Sequence, residues 1–169
     1  MRFTSKLRRL VLLFLLLCVG SYAKDLSVAD SEVWYAANKK ALMALHGLIL
    51  KNPTIARIDP GTPFQYVPNH KEFTPETVAA YEEIEKECVS LGMKHIAVFR
   101  KQSLSTGELI SIRYTLSSSG LAVSGGKSLS IEYVPDEFII SRLRLDSENI
   151  VTPRDEENWY VVDYREGRK

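Results

Sequence analysis

Three histidines are the side chains of this chain that could most readily hold a metal ion. Zinc sites usually take two ligands from one helical turn or one tight hairpin, whereas His46, His70 and His95 are far apart in the sequence. We therefore predict no metal site. His46 and His95 fall in predicted regular elements. His70 falls in a long loop, and because loops carry binding residues more often than packed elements do, it has the strongest claim to a function.

Cys88 could in principle form a nucleophilic pair with a histidine. A reactive thiolate needs an exposed, electropositive setting. Cys88 instead falls on the apolar stripe of a predicted helix, with glutamates nearby in the sequence. We therefore interpret it as a small core residue.

Gly126-Lys127-Ser128 has the form of the end of a phosphate-binding P-loop. That motif needs a glycine where this chain has Leu121, and it needs a helix afterwards, whereas the following residues alternate as a strand does. There is also no Gly-x-Ser-x-Gly elbow, and the glutamates of Glu82–Glu87 fit the solvated face of a helix. The sequence therefore predicts no cofactor and names no reaction.

Two helices are predicted before any clear strand. The first runs from Ser27, as N-cap, to Leu50, and Asn52-Pro53 ends it. Its predicted apolar face comprises Trp34, Ala37, Ala41, Leu45 and Leu48, widened by Val33, Leu42 and Ile49. The second begins at Thr74-Pro75 and ends at Gly92, with apolar positions at Val78, Tyr81, Ile84, Cys88 and Leu91.

The connection between these helices, Pro53–Phe73, contains four prolines. It is predicted to be a long irregular loop with a short strand at Ile55–Ile58. Long loops in compact domains are often functional, and this one is too apolar to be a disordered linker. Within it, Tyr66 and His70 are our candidate binding residues.

After Gly92 the apolar period changes to two, which indicates strands. Strands are predicted at His95–Arg100, Leu109–Leu116, Leu121–Ser124, Ser128–Val134 and Trp159–Tyr164, with turns at Ser117–Gly120 and Gly125–Gly126 and a charged loop at Thr152–Asn158. Phe138–Leu145 fits either a short helix or an edge segment. The predicted class is α+β: two N-terminal helices packed on one face of an antiparallel sheet of about four to six strands.

The first 23 residues have the three-part pattern of a secretory signal peptide. A basic start is followed by the apolar run Leu10–Gly20, and cleavage is predicted between Ala23 and Lys24. The run is too short to span a bilayer. Cys18 offers an alternative, lipidation, but Leu17 stands where a lipoprotein signal usually has a small residue. Residues 24–169 are then predicted to form one globular domain.

Cleavage would also change the charge of the protein. Full-length, the chain has a net charge of +1; the leader holds four of the 22 basic residues and none of the 21 acidic ones, so the mature net charge is −3. Nucleic acid and anionic lipid both favour clustered Lys and Arg. We therefore expect no nucleic-acid binding and no membrane insertion after the leader is removed. Cys88 alone cannot form an internal disulfide.

The C-terminal half contains Gly120-Leu121-Ala122-Val123-Ser124-Gly125, an aromatic-containing strand that ends at Pro135, and Asn158-Trp159-Tyr160. Over residues 95–164 this pattern resembles small exported proteins of proteobacteria, many of which carry a signal peptide or lipoprotein leader. The resemblance implies a location in the bacterial periplasm or envelope. It implies no catalytic residue.

Export, modest size and the lack of convergent reactive residues favour a non-enzymatic domain that binds another envelope protein. Such a domain could act as an inhibitor, an immunity-type factor or an envelope accessory factor. The alternative is a small periplasmic hydrolase whose carboxylates and histidine are brought together only by the fold.

Overall fold

The structure is a computed structural model that describes residues 26–101, 107–119, 126–145 and 149–165. The predicted signal peptide, its Ala23–Lys24 cleavage site and Cys18 lie outside these ranges, as does the predicted strand Leu121–Ser124. The elements in chain order are α1 (Val28–Lys51), β1 (Arg57–Ile58), the 3₁₀ turns Phe64–Tyr66 and His70–Glu72, α2 (Pro75–Ser90), β2 (His95–Arg100), β3 (Leu109–Ser119), β4 (Lys127–Tyr133), α3 (Glu137–Leu145), β5 (Ile150–Pro153) and β6 (Trp159–Arg165).

The six strands of the described residues form one sheet in the order β1-β2-β3-β4-β6-β5. Every neighbouring pair is antiparallel. The helices α1 and α2 contact each other, and α1 also contacts β4 and β6. The predicted α+β class, with an antiparallel sheet, is confirmed. None of the helices in the described ranges is long and apolar enough to cross a membrane.

Helix α1 begins where its sequence predicted. Ser27 is the N-cap, and it forms a capping box with Asp30 that satisfies two backbone N–H groups. The predicted apolar face was partly wrong, however. Ala37, Ala41 and Val33 are exposed, and the buried positions are Ser31, Tyr35, Leu42, Leu45 and Ile49. The buried stripe is rotated because Tyr35 packs against Trp159 of β6, a contact that periodicity alone does not show.

Helix α2 agrees with its prediction at both ends. The Thr74 side chain accepts a hydrogen bond from the backbone N–H of Thr77, and Pro75 is in the first turn. Gly92 follows the helix with φ of +68°, a left-handed conformation that glycine adopts without strain. The side chains of Tyr81, Ile84 and Cys88 are buried, as the spacing predicted.

The two faces of the sheet differ in composition. The face towards α1 and α2 is apolar, and its buried side chains include Ile96, Val98, Ile112, Tyr114, Leu129, Ile131, Trp159 and Val161. The alternating residues point to the other face, where four buried side chains are polar: Ser111, Thr115, Ser130 and Glu132. The main core therefore lies between the sheet and the first two helices.

Three local predictions need correction or completion. Ser117–Ser119 are not a turn, because β3 continues to Ser119 and pairs with Lys127 after an irregularity in register between Thr115 and Ser117. Residues 150–153 form an edge strand, which includes the first two residues of the predicted charged loop Thr152–Asn158. Phe138–Leu145, which by sequence fits either a short helix or an edge segment, belongs to the helix α3, and this helix contacts β5.

Candidate functional site

The loop between β1 and α2 is held in place at its first turn. The backbone N–H of Thr62 donates to the carbonyl of Asp59 at 3.0 Å, and Gly61 adopts a left-handed φ of +80°. The N–H of Gly61 donates to Oε1 of Glu85 on α2 at 3.0 Å. An ion pair between Arg57 and Asp59 joins the same turn to β1. The loop is thus tied to both of the elements that flank it.

The middle of the loop is packed by aromatic rings. The centroid of Phe64 lies 5.8 Å from those of Phe73 and Tyr81, both in edge-on arrangements, and 5.9 Å from His70. Such geometry suits aromatic pairs. Val67, which lies between the two 3₁₀ turns in the sequence, is buried. These contacts and the two 3₁₀ turns give the loop a defined conformation, so it is not an irregular linker.

The two candidate binding residues have different environments. Tyr66 is 69 % exposed. His70 is partly buried, and its Nδ1 lies 2.9 Å from the carbonyl oxygen of Val67, which requires Nδ1 to carry the proton and donate. Of the two, Tyr66 is available to a partner, whereas His70 helps to hold the loop.

The polar face of the sheet carries a second cluster, formed by Arg113, Glu132 and Tyr164. The guanidinium Nε of Arg113 donates to Oε1 of Glu132 at 2.5 Å, and its Nη2 donates to the Tyr164 hydroxyl at 2.6 Å. That hydroxyl in turn donates to Glu132 Oε1 at 2.7 Å. Glu132 is only 1 % exposed, so its charge depends on these two partners.

Aromatic rings cover the guanidinium of this cluster. The Cζ atom of Arg113 lies 4.1 Å from the ring centroid of Tyr164 and 5.2 Å from that of Phe99. Burial alone would lower the pKa of Arg113, but the adjacent Glu132 and Tyr164 outweigh it and raise that pKa. Burial and the nearby Glu132 carboxylate raise the pKa of Tyr164. In this cluster the charges of Arg113 and Glu132 neutralise each other, and the hydrogen bonds and aromatic rings around them hold both side chains in position.

A chain of hydroxyl groups and a histidine lies beside the ion pair. Oγ1 of Thr115 is 3.0 Å from Nε2 of His95 and 3.3 Å from Oγ of Ser130. Burial, followed by the charges of Arg57 and Arg113, lowers the pKa of His95. The pairing of a hydroxyl with an imidazole resembles a nucleophile and its base. Thr115 and Ser130 are fully buried, however, so neither hydroxyl can reach a substrate in this conformation.

His46 lies among aromatic rings at the apolar face. Its Nδ1 is 2.8 Å from the Tyr114 hydroxyl, and its ring is 4.5 Å from Tyr133 and 5.1 Å from Trp159. Burial lowers the pKa of His46 to about 4. This neutral imidazole satisfies the hydroxyl of the fully buried Tyr114, which is a structural role.

Cys88 is fully buried, and burial raises the pKa of its thiol to about 12. The interpretation as a core residue is confirmed. Within the described ranges, no three side chains of His, Cys, Asp or Glu converge on a position that could hold a metal ion.

An open cleft of about 410 Å³ lies where α1 begins, beside the ends of β3, β4 and β6. Its lining includes Ser27, Ser117, Ser128, Lys127 and Asp163. Lysine, aspartate and hydroxyl groups give the cleft a mixed polar surface. They do not form a catalytic geometry of their own.

The sequence did not reveal the Arg113–Glu132–Tyr164 cluster. The alternation along β3 and β4 does place Arg113 and Glu132 opposite the apolar residues of their own strands, and that was the available signal. The missing information was the register, which pairs Arg113 directly with Glu132. Tyr164, on β6, is 51 residues from Arg113 in the sequence.

Comparison of the chain with protein-family models, with curated proteins and with solved structures gives no match. The fold and the geometry of its surfaces are therefore the basis for a functional proposal.

Proposed function

We propose that this chain is an exported, non-enzymatic domain that binds another protein of the bacterial envelope, and that the loop of residues 59–73 is the contact surface. The observation that carries the proposal is the exposure of Tyr66, at 69 %, on a loop whose own backbone and rings hold it in shape. An inhibitor, an immunity-type factor and an accessory factor would all use such a surface.

A preordered loop favours binding because less conformational entropy is lost when the partner docks. Tyrosine suits such a surface, since its large ring has only two side-chain torsions to fix and also offers a hydroxyl. Phe64, in the same 3₁₀ turn, is 38 % exposed and would extend the aromatic contact. Truncating a central aromatic anchor typically weakens binding by about 2 kcal/mol or more.

The proposal is tested by affinity capture from envelope extracts with tagged full-length chain, purified as the exporting host processes it. A partner captured by the wild type is expected to be lost with Tyr66→Ala and retained with Tyr66→Phe, because the ring supplies most of the contact area. Val33→Ala is the control, since Val33 is equally exposed, at 72 %, on α1. Equal capture by Tyr66→Ala and Val33→Ala would rule out the loop as the contact surface.

Export is tested separately from binding. We expect cell fractionation to place the protein in the periplasm or envelope, and N-terminal sequencing to begin at Lys24. Recovery of the intact N-terminus in the cytoplasm would refute the proposed location. Detection of a lipid-modified Cys18 would instead show that the protein is anchored to the membrane and is not simply cleaved after Ala23.

A small periplasmic hydrolase is the second candidate, because the fold brings Glu132 and His95 to one face of the sheet. The burial of Thr115 and Ser130 is the main argument against it. Purified protein is tested with generic ester, phosphate, glycan and peptide substrates. Turnover that is abolished by His95→Gln, in a variant that still folds, would favour the hydrolase over the binding domain.

A further inference from the structure

Helix α3 leaves much of its apolar surface uncovered. Phe138 is 65 % exposed and Leu145 is 82 % exposed, and of the nine residues of the helix only Ile140 is buried. Exposed apolar side chains that share one face of a helix are a candidate contact surface. We refer to Phe138, Ser141 and Leu145, which recur at spacings of three and four, as the α3 face.

Charges are separated along α3. The acidic end carries Asp136, whose carboxylate accepts the N–H of Phe138 at 2.9 Å, and the exposed Glu137. The last turn carries Arg142 and Arg144, both exposed. Acid at the N-terminus and base at the C-terminus also agree with the helix dipole. A helix with this polarity does not match a uniformly anionic surface such as a lipid bilayer.

The same polarity fits a second copy of the helix in the opposite direction. Glu137 and Arg144 are seven residues apart, which is close to two turns, so both lie along one edge of the α3 face. A two-fold axis between antiparallel copies brings Glu137 of each copy beside Arg144 of the other. It also brings Phe138 of each copy against Leu145 of the other. Ser141, the small residue between them, lies at the crossing point and allows a close approach.

We propose that the α3 face is a self-association surface, through which two copies of this chain pair as an antiparallel helix dimer with two Glu137–Arg144 ion pairs. The contact is isologous, because the same patch serves both copies and closes the assembly at two. One helix face is a small interface, which predicts a weak, concentration-dependent dimer. Self-association in this way does not involve the loop of residues 59–73.

The test is sedimentation equilibrium of the processed full chain over about 10 μM to about 1 mM, a range that covers the affinities of small interfaces. The wild type is expected to dimerise. Phe138→Ala is expected to weaken the dimer roughly ten-fold or more, as loss of a central aromatic contact does. Circular dichroism checks that each variant is folded. A wild type that stays monomeric throughout would overturn the proposal.

Charge exchange provides the sharper experiment. Glu137→Lys and Arg144→Glu each place like charges at both contacts, so each variant alone is expected to remain monomeric. Mixed in equal amounts, the two variants are expected to form a heterodimer, because every contact is then again between opposite charges. Glu83→Lys, a reversal of an exposed glutamate on α2, is the control and is expected to dimerise as the wild type does. Failure of the mixture to associate, or dimers of the single variants, would exclude the antiparallel arrangement.

Discussion

The two faces of the sheet are both substantially buried, but they are stabilised in different ways. On the face covered by α1 and α2, branched and aromatic side chains such as Ile112 and Ile131 are removed from water, which contributes stability without directional requirements. On the opposite face, Glu132 is equally buried but depends on hydrogen bonds to Arg113 and Tyr164. On the apolar face the cost of a substitution depends on the volume that it removes, whereas on the polar face it depends on whether a buried charge is left without its partner.

The largest effect is expected from breaking the ion pair on the polar face. Arg113→Met leaves the Glu132 carboxylate buried without its cation and is expected to lower the free energy of unfolding by about 3 to 4 kcal/mol. The double variant Arg113→Met/Glu132→Leu is expected to recover most of this loss, since no unpaired charge remains. Urea denaturation measures both values. If the double variant is as unstable as the single one, packing and not charge governs this face.

Substitutions at two adjacent residues of β4 allow the stability of the two faces to be compared directly. Ile131 and Ser130 are both fully buried but point to opposite sides of the sheet. Ile131→Ala is expected to cost about 3 kcal/mol of unfolding free energy through lost burial and the cavity left behind. Ser130→Ala is expected to cost about 1 kcal/mol or less, because Thr115 keeps its hydrogen bond to His95. Urea midpoints of the two variants test this, and equal losses would contradict the division between the faces.

The pH dependence of stability distinguishes the two half-buried histidines whose pKa is lowered, His46 and His95. Burial lowers the pKa of His46 in the folded protein to about 4, from 6.5, so the unfolded chain binds the proton first as the pH falls. Stability from the neutral imidazole is present above pH 6.5 and is lost as the pH falls towards 4. The pKa of His95 is lowered in the same direction, so both histidines destabilise the fold in acid.

The measurement is the urea midpoint between pH 7.5 and pH 4 for the wild type, His46→Gln and His95→Gln. Glutamine keeps a hydrogen-bonding group in each place but does not titrate. We expect His46→Gln to flatten the pH dependence more than His95→Gln does. A pH dependence unchanged by His46→Gln would contradict the proposed burial of its neutral form.

The smallest effect on stability is expected in the loop of residues 59–73. Tyr66→Ala is expected to change the free energy of unfolding by no more than about 0.5 kcal/mol, because the side chain is mostly in water. Thermal denaturation checks this. A substantial loss of stability would show that Tyr66 serves the fold and would remove the reason to treat it as a surface for binding.

Much of the local structure could be predicted from the residues themselves. The cap at Ser27, the start of α2 at Thr74-Pro75 and the left-handed Gly92 are determined by side chains within a few positions of each feature. The strand His95–Arg100 was also predicted with its observed bounds. The face of α1 was predicted less well, since Val33, Ala37 and Ala41 have the right period but are exposed among the residues that the structure describes.

The candidate site could be predicted only in part. The proposal that Tyr66 and His70 are binding residues came from loop composition, and it still awaits its test. The structure adds that Tyr66 is exposed while His70 bonds to the loop backbone. Ser117–Ser119 were expected to turn because serine is common in turns, but the pairing of β3 with β4 outweighs that local preference.

By itself, the sequence determined the α+β class and the ends of its helices, because periodicity and capping act over short stretches of chain. It also produced the expectation of export, through the composition of residues 1–23. Only the tertiary structure decided that Arg113, Glu132 and Tyr164 meet, and that Phe138 and Leu145 of α3 stay exposed. Strand register and the packing of helices depend on contacts between residues far apart in the chain, which no local pattern specifies.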